Sequence, residues 1–151
     1  MADLNSKCKA WSAFLAVSAL TIDMSVAWAD DATHQDKRLD LGLTAAERNE
    51  FLSEMRQMLA SVQGIVAGIS TEDRQKIAKS ARYSGNRMAR ATPVSVRRKL
   101  PPSFRDIGGD THMMFEEIAV RAEADDMDML AALTGRLMQQ CLTCHAMFRA
   151  N

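Results

Sequence analysis

The sequence predicts an all-α protein whose helices pack as an antiparallel, up-down-up-down four-helix bundle. Three observations support this fold class. Apolar residues recur at intervals of three and four along four stretches of the 151-residue chain, no stretch shows the alternation of a half-buried strand, and the connections are short. We therefore expect one helical domain, from residue 44 to residue 151.

The N-terminus has the layout of a secretory signal peptide. Lys7 and Lys9 precede an apolar run, and a small-residue cleavage pattern follows at residues 27–29. The apolar stretch before Asp23 is too short to span a bilayer, which disfavours a retained anchor. We predict that residues 1–29 are a cleaved signal peptide and that the exported protein has no membrane anchoring after cleavage.

The charge and cysteine content of the chain narrow the classes of function. It contains 19 basic and 19 acidic residues, and removal of the leader takes away two of each. This balance argues against a polybasic surface for nucleic acid or an anionic membrane. Cleavage also removes Cys8, so the mature chain keeps only Cys141 and Cys144, and no disulfide framework is left to propose.

A polar segment, residues 30–43, follows the leader, and we predict that it is mobile. The first helix begins after it, because Thr44 and Glu47 have the Thr-x-x-Glu spacing of a capping box. We expect this helix to end at about Ser70. Its apolar stripe, wide enough to face a bundle, consists of Phe51, Met55, Met58, Val62, Ile65 and Ile69, flanked by Leu52, Leu59 and Val66.

The second helix is predicted to begin near residues 71–73, where acidic residues occupy the first turn, and to end at Pro93. Small residues dominate its inward face. Within it, Gly85 indicates either a close approach to a neighbouring helix or a bound group, or a tolerated surface position. Between Pro93 and Pro102 we expect a basic, solvated connection that holds one or two helical turns.

The third helix is predicted to start at about residues 102–103, and Gly108-Gly109 is expected to kink it or to separate its first turn. A short turn at Asp125-Asp126 leads to the fourth helix. The apolar stripe of that helix contains Leu130, Leu133, Leu137, Cys141, Cys144 and Phe148. Both cysteines are therefore expected on its core-facing side.

Cys141, Cys144 and His145 form a Cys-x-x-Cys-His motif, the attachment sequence of a c-type haem. On a helix the two cysteines share a face and point both sulfurs at the vinyl edge of one porphyrin, while His145 reaches the iron. A redox dithiol would need a βαβ context, and a zinc site would need a second pair of ligands; this chain has neither. The motif predicts one covalent haem c with His145 as the proximal iron ligand.

A Cys-x-x-Cys-His motif at the end of a helical bundle resembles the cytochrome c′ family. That family continues with x-x-(Tyr/Phe)-Arg, and this chain has Phe148 and Arg149 at those positions. The resemblance implies that both residues belong to the cofactor site and that Arg149 modulates the hydrogen bonding of the proximal imidazole. The alternative for Arg149 is a solvated cation at a helix C-terminus.

The resemblance also implies that the first helix supplies the residue on the distal side of the iron. Low-spin members of the family have Met there, whereas open, five-coordinate members have an apolar residue. Met55 is the first candidate for the sixth ligand and Met58 the second, and an open site at Leu52, which with Arg48 matches the family's Arg-x-x-x-Leu element, is the third. His112 in the third helix is a less favoured candidate, although His commonly ligates metals.

Three classes of function follow from these alternatives. With His145 and a Met sulfur on iron, the protein would be a periplasmic one-electron carrier, because both oxidation states keep one geometry and the thioether raises the potential. With an open distal side it would bind nitric oxide or carbon monoxide, as a scavenger or sensor, and a module with a structural haem is a third class. The sequence has no residue set for turnover of an organic substrate, so we predict an electron-transfer protein and not an enzyme. Its partners would be redox proteins, and a homodimer through the first two helices, which the family often forms, stays open.

Overall fold

In a computed structural model of the protein, the described residues are 36–151. The predicted signal peptide, residues 1–29, and the first part of the predicted mobile segment lie outside them. The described chain is mostly helical, which confirms the all-α class. Its elements in order are β1 (Leu39–Asp40), α1 (Ala45–Ser70), α2 (Arg74–Tyr83), α3 (Asn86–Ala91), α4 (Val94–Lys99), α5 (Pro102–Arg121), α6 (Met127–Met147) and β2 (Phe148–Arg149). Among these helices, none has both the length and the apolar character that a membrane crossing requires.

The predicted start of α1 is confirmed by a complete capping box. The Thr44 amide donates to Glu47 Oε2 at 2.8 Å, and the Glu47 amide donates to Thr44 Oγ1 at 3.3 Å. These bonds satisfy two of the amides that a helix start leaves without partners. The helix ends at Ser70, as its apolar periodicity predicted.

The predicted second helix is two helices, because the chain breaks at Ser84 and Gly85. The Ser84 amide bonds to the Ala81 carbonyl oxygen at 3.1 Å, a tightening typical of a helix end. A Cβ on Gly85 would lie 2.6 Å from Cδ of Glu116 on α5, and the same carboxylate accepts the Asn86 amide at 2.9 Å. Of the two explanations for Gly85, close approach to a neighbouring helix is therefore confirmed. The predicted helical turns between the prolines are α4.

Of the two outcomes predicted for the third helix, separation of its first turn is wrong, since α5 runs unbroken through Gly108-Gly109. Phe104 before the glycines and Phe115 after them are both buried, so both halves of α5 are held by packing. A helical Gly costs about 1 kcal/mol relative to Ala, whereas burial of one Phe side chain contributes about 1.5–3 kcal/mol. The tertiary contacts therefore outweigh the local preference.

The fourth helix ends one residue earlier than its apolar stripe predicted, because Phe148 belongs to β2. This strand pairs in parallel with β1, with Leu39 opposite Phe148 and Asp40 opposite Arg149. The structure thus differs from the predicted mobile segment 30–43 in its second part, where the chain forms β1 and then buries Leu41 and Leu43. The folded region begins before residue 44.

Two apolar clusters fill the interior. We call the first the central core; it consists of Ile65, Ile77, Ala78, Ala81, Phe115, Ile118, Ala119, Ala122, Leu130, Leu133 and Leu137. We call the second the end cluster; it consists of Leu41, Leu43, Val96, Leu100, Phe104 and Phe148, with Phe51, Ile107, Cys144 and Ala150 packed against it. Helix α1 contacts α2 and α6, and α5 contacts the same two helices. The end cluster lies where α6 ends, and it carries the motif cysteine Cys144.

Candidate functional site

A cavity of about 230 Å³ lies beside the C-terminal end of α6. It is lined by residues from the segment before α1, from α1 and α5, and from the end of the chain. These are Arg38, Leu41, Phe51, Leu52, Met55, Phe104, Cys144, His145, Phe148, Arg149, Ala150 and Asn151. The cavity therefore combines most of the C-terminal motif with two distal candidates from the first helix.

The two motif cysteines are free and half-buried on α6. Burial raises the pKa of the Cys141 thiol, and burial together with the neighbouring Cys141 raises the pKa of the Cys144 thiol. Cys141 Sγ donates to the Leu137 carbonyl oxygen at 3.6 Å and does not line the cavity, whereas Cys144 does. A redox dithiol needs a thiolate stabilised by a lowered pKa, so these raised pKa values disfavour that use of the motif.

His145 lies in the last turn of α6, and its side chain is exposed. Its backbone carbonyl oxygen accepts a bond of 3.4 Å from Nη1 of Arg38. Within residues 36–151 its imidazole ring makes no hydrogen bond. The ring is therefore free to bind a group placed at the cavity, while the backbone behind it is tied to the segment before β1.

Arg149 contains a buried donor without an acceptor. Its Nη2 lies 3.8 Å from Asp40 Oδ2, but its Nε is buried and has no hydrogen-bond partner among the described residues. A buried polar group left without a partner is uncommon and costs about 1–3 kcal/mol. An acceptor brought by a bound group would remove that cost.

The structure separates the four distal candidates. Leu52 and Met55 line the cavity with His145, whereas Met58 packs on the central core. His112 is not among the lining residues, and its Nδ1 donates to the Ser84 carbonyl oxygen at 2.7 Å, because a carbonyl can only accept. Leu52 and Met55 are the candidates that the fold brings to the motif.

Phe148, a predicted member of the site, is 5% exposed and anchors an aromatic group. Its ring centroid lies 5.2 Å from that of Phe104 in an edge-on arrangement, and Phe104 lies 5.7 Å from Phe51. Such tilted pairs are favourable because the positive edge of one ring meets the negative face of the next. The three rings make one wall of the cavity apolar.

Several residues at the site were not assigned a role from the sequence. Arg38 contacts the His145 carbonyl, Asp40 approaches Arg149, and Nε of Arg48 donates to the Ala150 carbonyl oxygen at 3.1 Å. Arg48 had a signal, because it begins the Arg-x-x-x-Leu element that the chain shares with the cytochrome c′ pattern. Arg38 and Asp40 had none, since their segment has no helical periodicity.

An ion pair between Lys99 and Glu47 lies beside the end cluster. Lys99 Nζ donates to Glu47 Oε2 at 2.7 Å, and this bond, with those from Thr44, lowers the pKa of the Glu47 carboxyl to about 2. Near the cavity, the bonds from Arg38 hold the pKa of Asp36 well below its usual range. Glu47 and Asp36 are therefore bound to basic partners, whereas burial and the neighbouring Glu50 raise the pKa of Glu54, which lies with Phe51 and Val96 at the same end.

Comparisons of the chain with protein-family models, with curated proteins and with solved structures found no match. Within the part of the chain that the structure describes, no group of three or more His, Cys, Asp or Glu side chains is arranged to hold a metal ion. The function is therefore inferred from the residues of the site itself.

The residues at the cavity fit a covalently bound haem in their chemistry. They offer one of the two thiols at the cavity and the other one helical turn away, a free imidazole, an apolar wall and an Arg donor that lacks an acceptor. The volume is below the about 300–1,000 Å³ typical of ligand sites. Accommodation of a porphyrin would therefore require the half-buried Leu52 and Met55 side chains to shift, or would leave the cofactor partly exposed.

Proposed function

We propose that the protein is a c-type cytochrome of the periplasm that carries single electrons through one haem bound to Cys141 and Cys144. The observation that carries this proposal is the cavity that brings His145 and Cys144 together with Met55 of the first helix. The contacts of α1 and α5 with both α2 and α6 support an antiparallel four-helix bundle as its architecture. The resemblance to cytochrome c′ proteins supports the same reading.

Each residue of the site has a defined task in this proposal. The Cys141 and Cys144 thiols would hold the haem through two thioethers, each formed by addition of one S–H across one vinyl group, with no atom lost. His145 would provide a nitrogen ligand to the iron, and Met55 would provide a soft thioether sulfur, which would favour the reduced state. When bound, the haem supplies reversible one-electron reduction of its iron.

The surrounding residues orient and shield this site. The aromatic wall of Phe51, Phe104 and Phe148 excludes water from one side of the cavity. Arg38 holds the backbone of His145 through its carbonyl. Arg149 offers its buried Nε–H to an acceptor on the bound group. Low polarity and an outer shell of hydrogen bonds are two of the means by which a protein sets a haem potential.

A second candidate function is binding of nitric oxide or carbon monoxide. It is favoured by Leu52, which lines the same cavity as Met55 and would leave the distal side apolar and open. The two functions differ only in which side chain of α1 meets the iron. Electron transfer is our first choice, because Met55 offers a ligand atom at the cavity.

The decisive experiment is the absorption spectrum of the purified protein, expressed with a haem-ligation system, after its mass has been measured. We expect one haem that remains bound on denaturation, and a far-red band marking Met ligation of ferric iron. In Met55→Leu we expect loss of that band, a high-spin spectrum and ready binding of carbon monoxide. The matched control is Met58→Leu, which removes a sulfur of the same type from the central core and should keep the spectrum.

Each contrary result points to a specific alternative. Absence of covalent haem in the wild-type protein would reject the cytochrome proposal. Ready carbon monoxide binding by the wild type, with no far-red band, would support the gas-binding function. Loss of the band in Met58→Leu, and not in Met55→Leu, would move the sixth ligand one turn along α1.

A further inference from the structure

Charge is strongly segregated along the middle of the chain, although the totals balance. Residues 84–105 contain six basic residues and no acidic one, and we call this stretch the basic segment. Residues 106–128 contain eight acidic residues and a single basic one. The protein is therefore neutral in sum but has a confined positive surface.

Most cations of the basic segment are exposed and make no direct ion pair within residues 36–151. The side chains of five arginines in the segment are exposed, and none forms an ion pair with a carboxylate among the described residues; they are Arg87, Arg90, Arg97, Arg98 and Arg105. The sixth cation, Lys99, is bound to Glu47. Five guanidinium groups thus keep their donors free for an external acceptor.

The later part of the basic segment, residues 96–105, lies at the end of the molecule that holds the candidate site. Val96 and Leu100 of this segment, together with Phe104, are buried in the end cluster against Phe148 and Cys144. The Lys99–Glu47 pair fixes α4 to the start of α1, which lines the other side of the cavity. The exposed arginines of α4 and of the start of α5 therefore lie next to the end cluster, against which Cys144 of the motif also packs.

We infer that the basic segment is a docking surface for an acidic protein, which it orients toward the end of the molecule that carries Cys144 and His145. The inference rests on the proposed function only in identifying that acidic protein as a redox partner. Guanidinium groups suit this task because their planar fork binds carboxylates with two parallel hydrogen bonds. Complementary charge raises the rate of encounter and selects orientation.

The limited extent of the positive surface favours a protein over an extended polyanion. Asp106 directly follows Arg105, and Asp110 lies one turn further on the same helix; both are exposed. A lipid surface or a nucleic acid would meet these carboxylates together with the arginines, and the chain as a whole offers it no net attraction. A partner with an acidic patch of matching size avoids that repulsion.

The test uses a fluorescently labelled decaglutamate peptide and the purified holoprotein, with binding measured by anisotropy at low and at physiological ionic strength. The test variant is R97Q/R98Q/R105Q. The matched control is R56Q/K76Q/R136Q, which removes three exposed, unpaired cations from α1, α2 and α6. An exposed ion pair changes affinity by a factor of about 1.4 to 5, so we expect about tenfold weaker binding in the test variant and less than twofold in the control.

Equal losses in the two variants would overturn the inference, because binding would then follow net charge alone. Binding to vesicles of phosphatidylglycerol and phosphatidylcholine that exceeds binding to the peptide, and that is lost in the test variant, would replace the acidic protein by a membrane. Covalent haem is measured by mass in every sample. A peptide effect without haem would leave the docking surface standing and reject the cytochrome proposal, whereas normal haem without a peptide effect would reject the docking surface.

Discussion

The central core and the end cluster are both apolar, but they differ in whether the buried polar groups beside them have partners. Phe115, Ile65 and Leu130 in the central core are fully buried, and within residues 36–151 no buried side-chain donor around them lacks a partner. The end cluster instead adjoins a cavity of about 230 Å³ and a buried Arg149 Nε without an acceptor. A bound group with an acceptor is therefore expected beside the end cluster, where Arg149 Nε lacks one.

The two regions also differ in how they are held together. The central core joins α1, α2, α5 and α6 through side-chain packing. The end cluster depends in addition on single polar contacts from Arg38 and Arg48 to backbone carbonyls, and on two short strands. Regions with fewer buried contacts open locally at lower free energy, so the end cluster is expected to be the more easily opened of the two.

The sharpest comparison of the regions is the removal of one aromatic ring from each. Phe115→Ala should cost about 4–5 kcal/mol of unfolding free energy, because a fully enclosed cavity cannot collapse. Phe104→Ala should cost nearer to about 3 kcal/mol, since neighbours of the existing cavity can relax into the space. Urea denaturation at neutral pH measures both values. Equal costs would show that the end cluster is packed as completely as the central core.

The tightness of the α1–α2 contact is tested by adding one methyl group. A Cβ at Gly68 would lie 2.7 Å from Ile77 Cγ1 and 3.1 Å from the Ile77 amide nitrogen, and backbone cannot move aside. We expect Gly68→Ala to lower the unfolding free energy by about 1–3 kcal/mol. The matched control is Gly135→Ala on α6, where nothing lies within 4 Å, and it should stabilise the protein by about 0.5–1 kcal/mol. A neutral Gly68→Ala would indicate that α1 and α2 can separate without loss.

The smallest expected effect is the pH dependence of stability that Glu47, beside the end cluster, contributes. Because Lys99 and Thr44 lower the pKa of Glu47 from 4.5 to about 2, its charged form stabilises the folded state above pH 4.5. That contribution is lost as the pH falls from about 4.5 to about 2. Urea midpoints measured across this range should fall less steeply in Glu47→Gln than in the wild type. Lys99→Gln should reduce the slope in the same way, and an unchanged slope in both variants would show that the pair does not support this end.

Elements defined by local signals could be predicted from the sequence. The start of α1 depends on two residues three positions apart, and the start of α6 depends on Asp126, whose side chain accepts the Met129 amide at 2.7 Å. The break at Ser84 could not be predicted, because it is stabilised by Glu116, about thirty residues away on α5. The continuity of α5 was missed for a similar reason, since burial outweighs two glycines.

The part of the site that could be predicted is the part whose residues lie close together in the sequence. Cys144, His145, Phe148 and Arg149 lie close together in the chain, and the resemblance directed attention to Met55. The structure brings these residues to one cavity, and their binding to haem stays a prediction. The roles of Arg38 and Asp40 arise from pairing across more than one hundred residues, which no local pattern encodes.

The pairing of β1 with β2 leads to an expectation about the order of assembly. Arg38 and His145, which this pairing brings into contact, are 107 positions apart, so closing the loop between them has a high entropic cost until the helices have packed. Because β2 follows α6 in the chain, it becomes available only after every helix has been synthesised. The pairing of β1 with β2 is therefore expected to form last, and until then we expect the thiols of α6 to stay accessible to the enzymes that would attach the proposed haem. The proposed attachment of haem to the two cysteines would thus be completed before β1 and β2 pair.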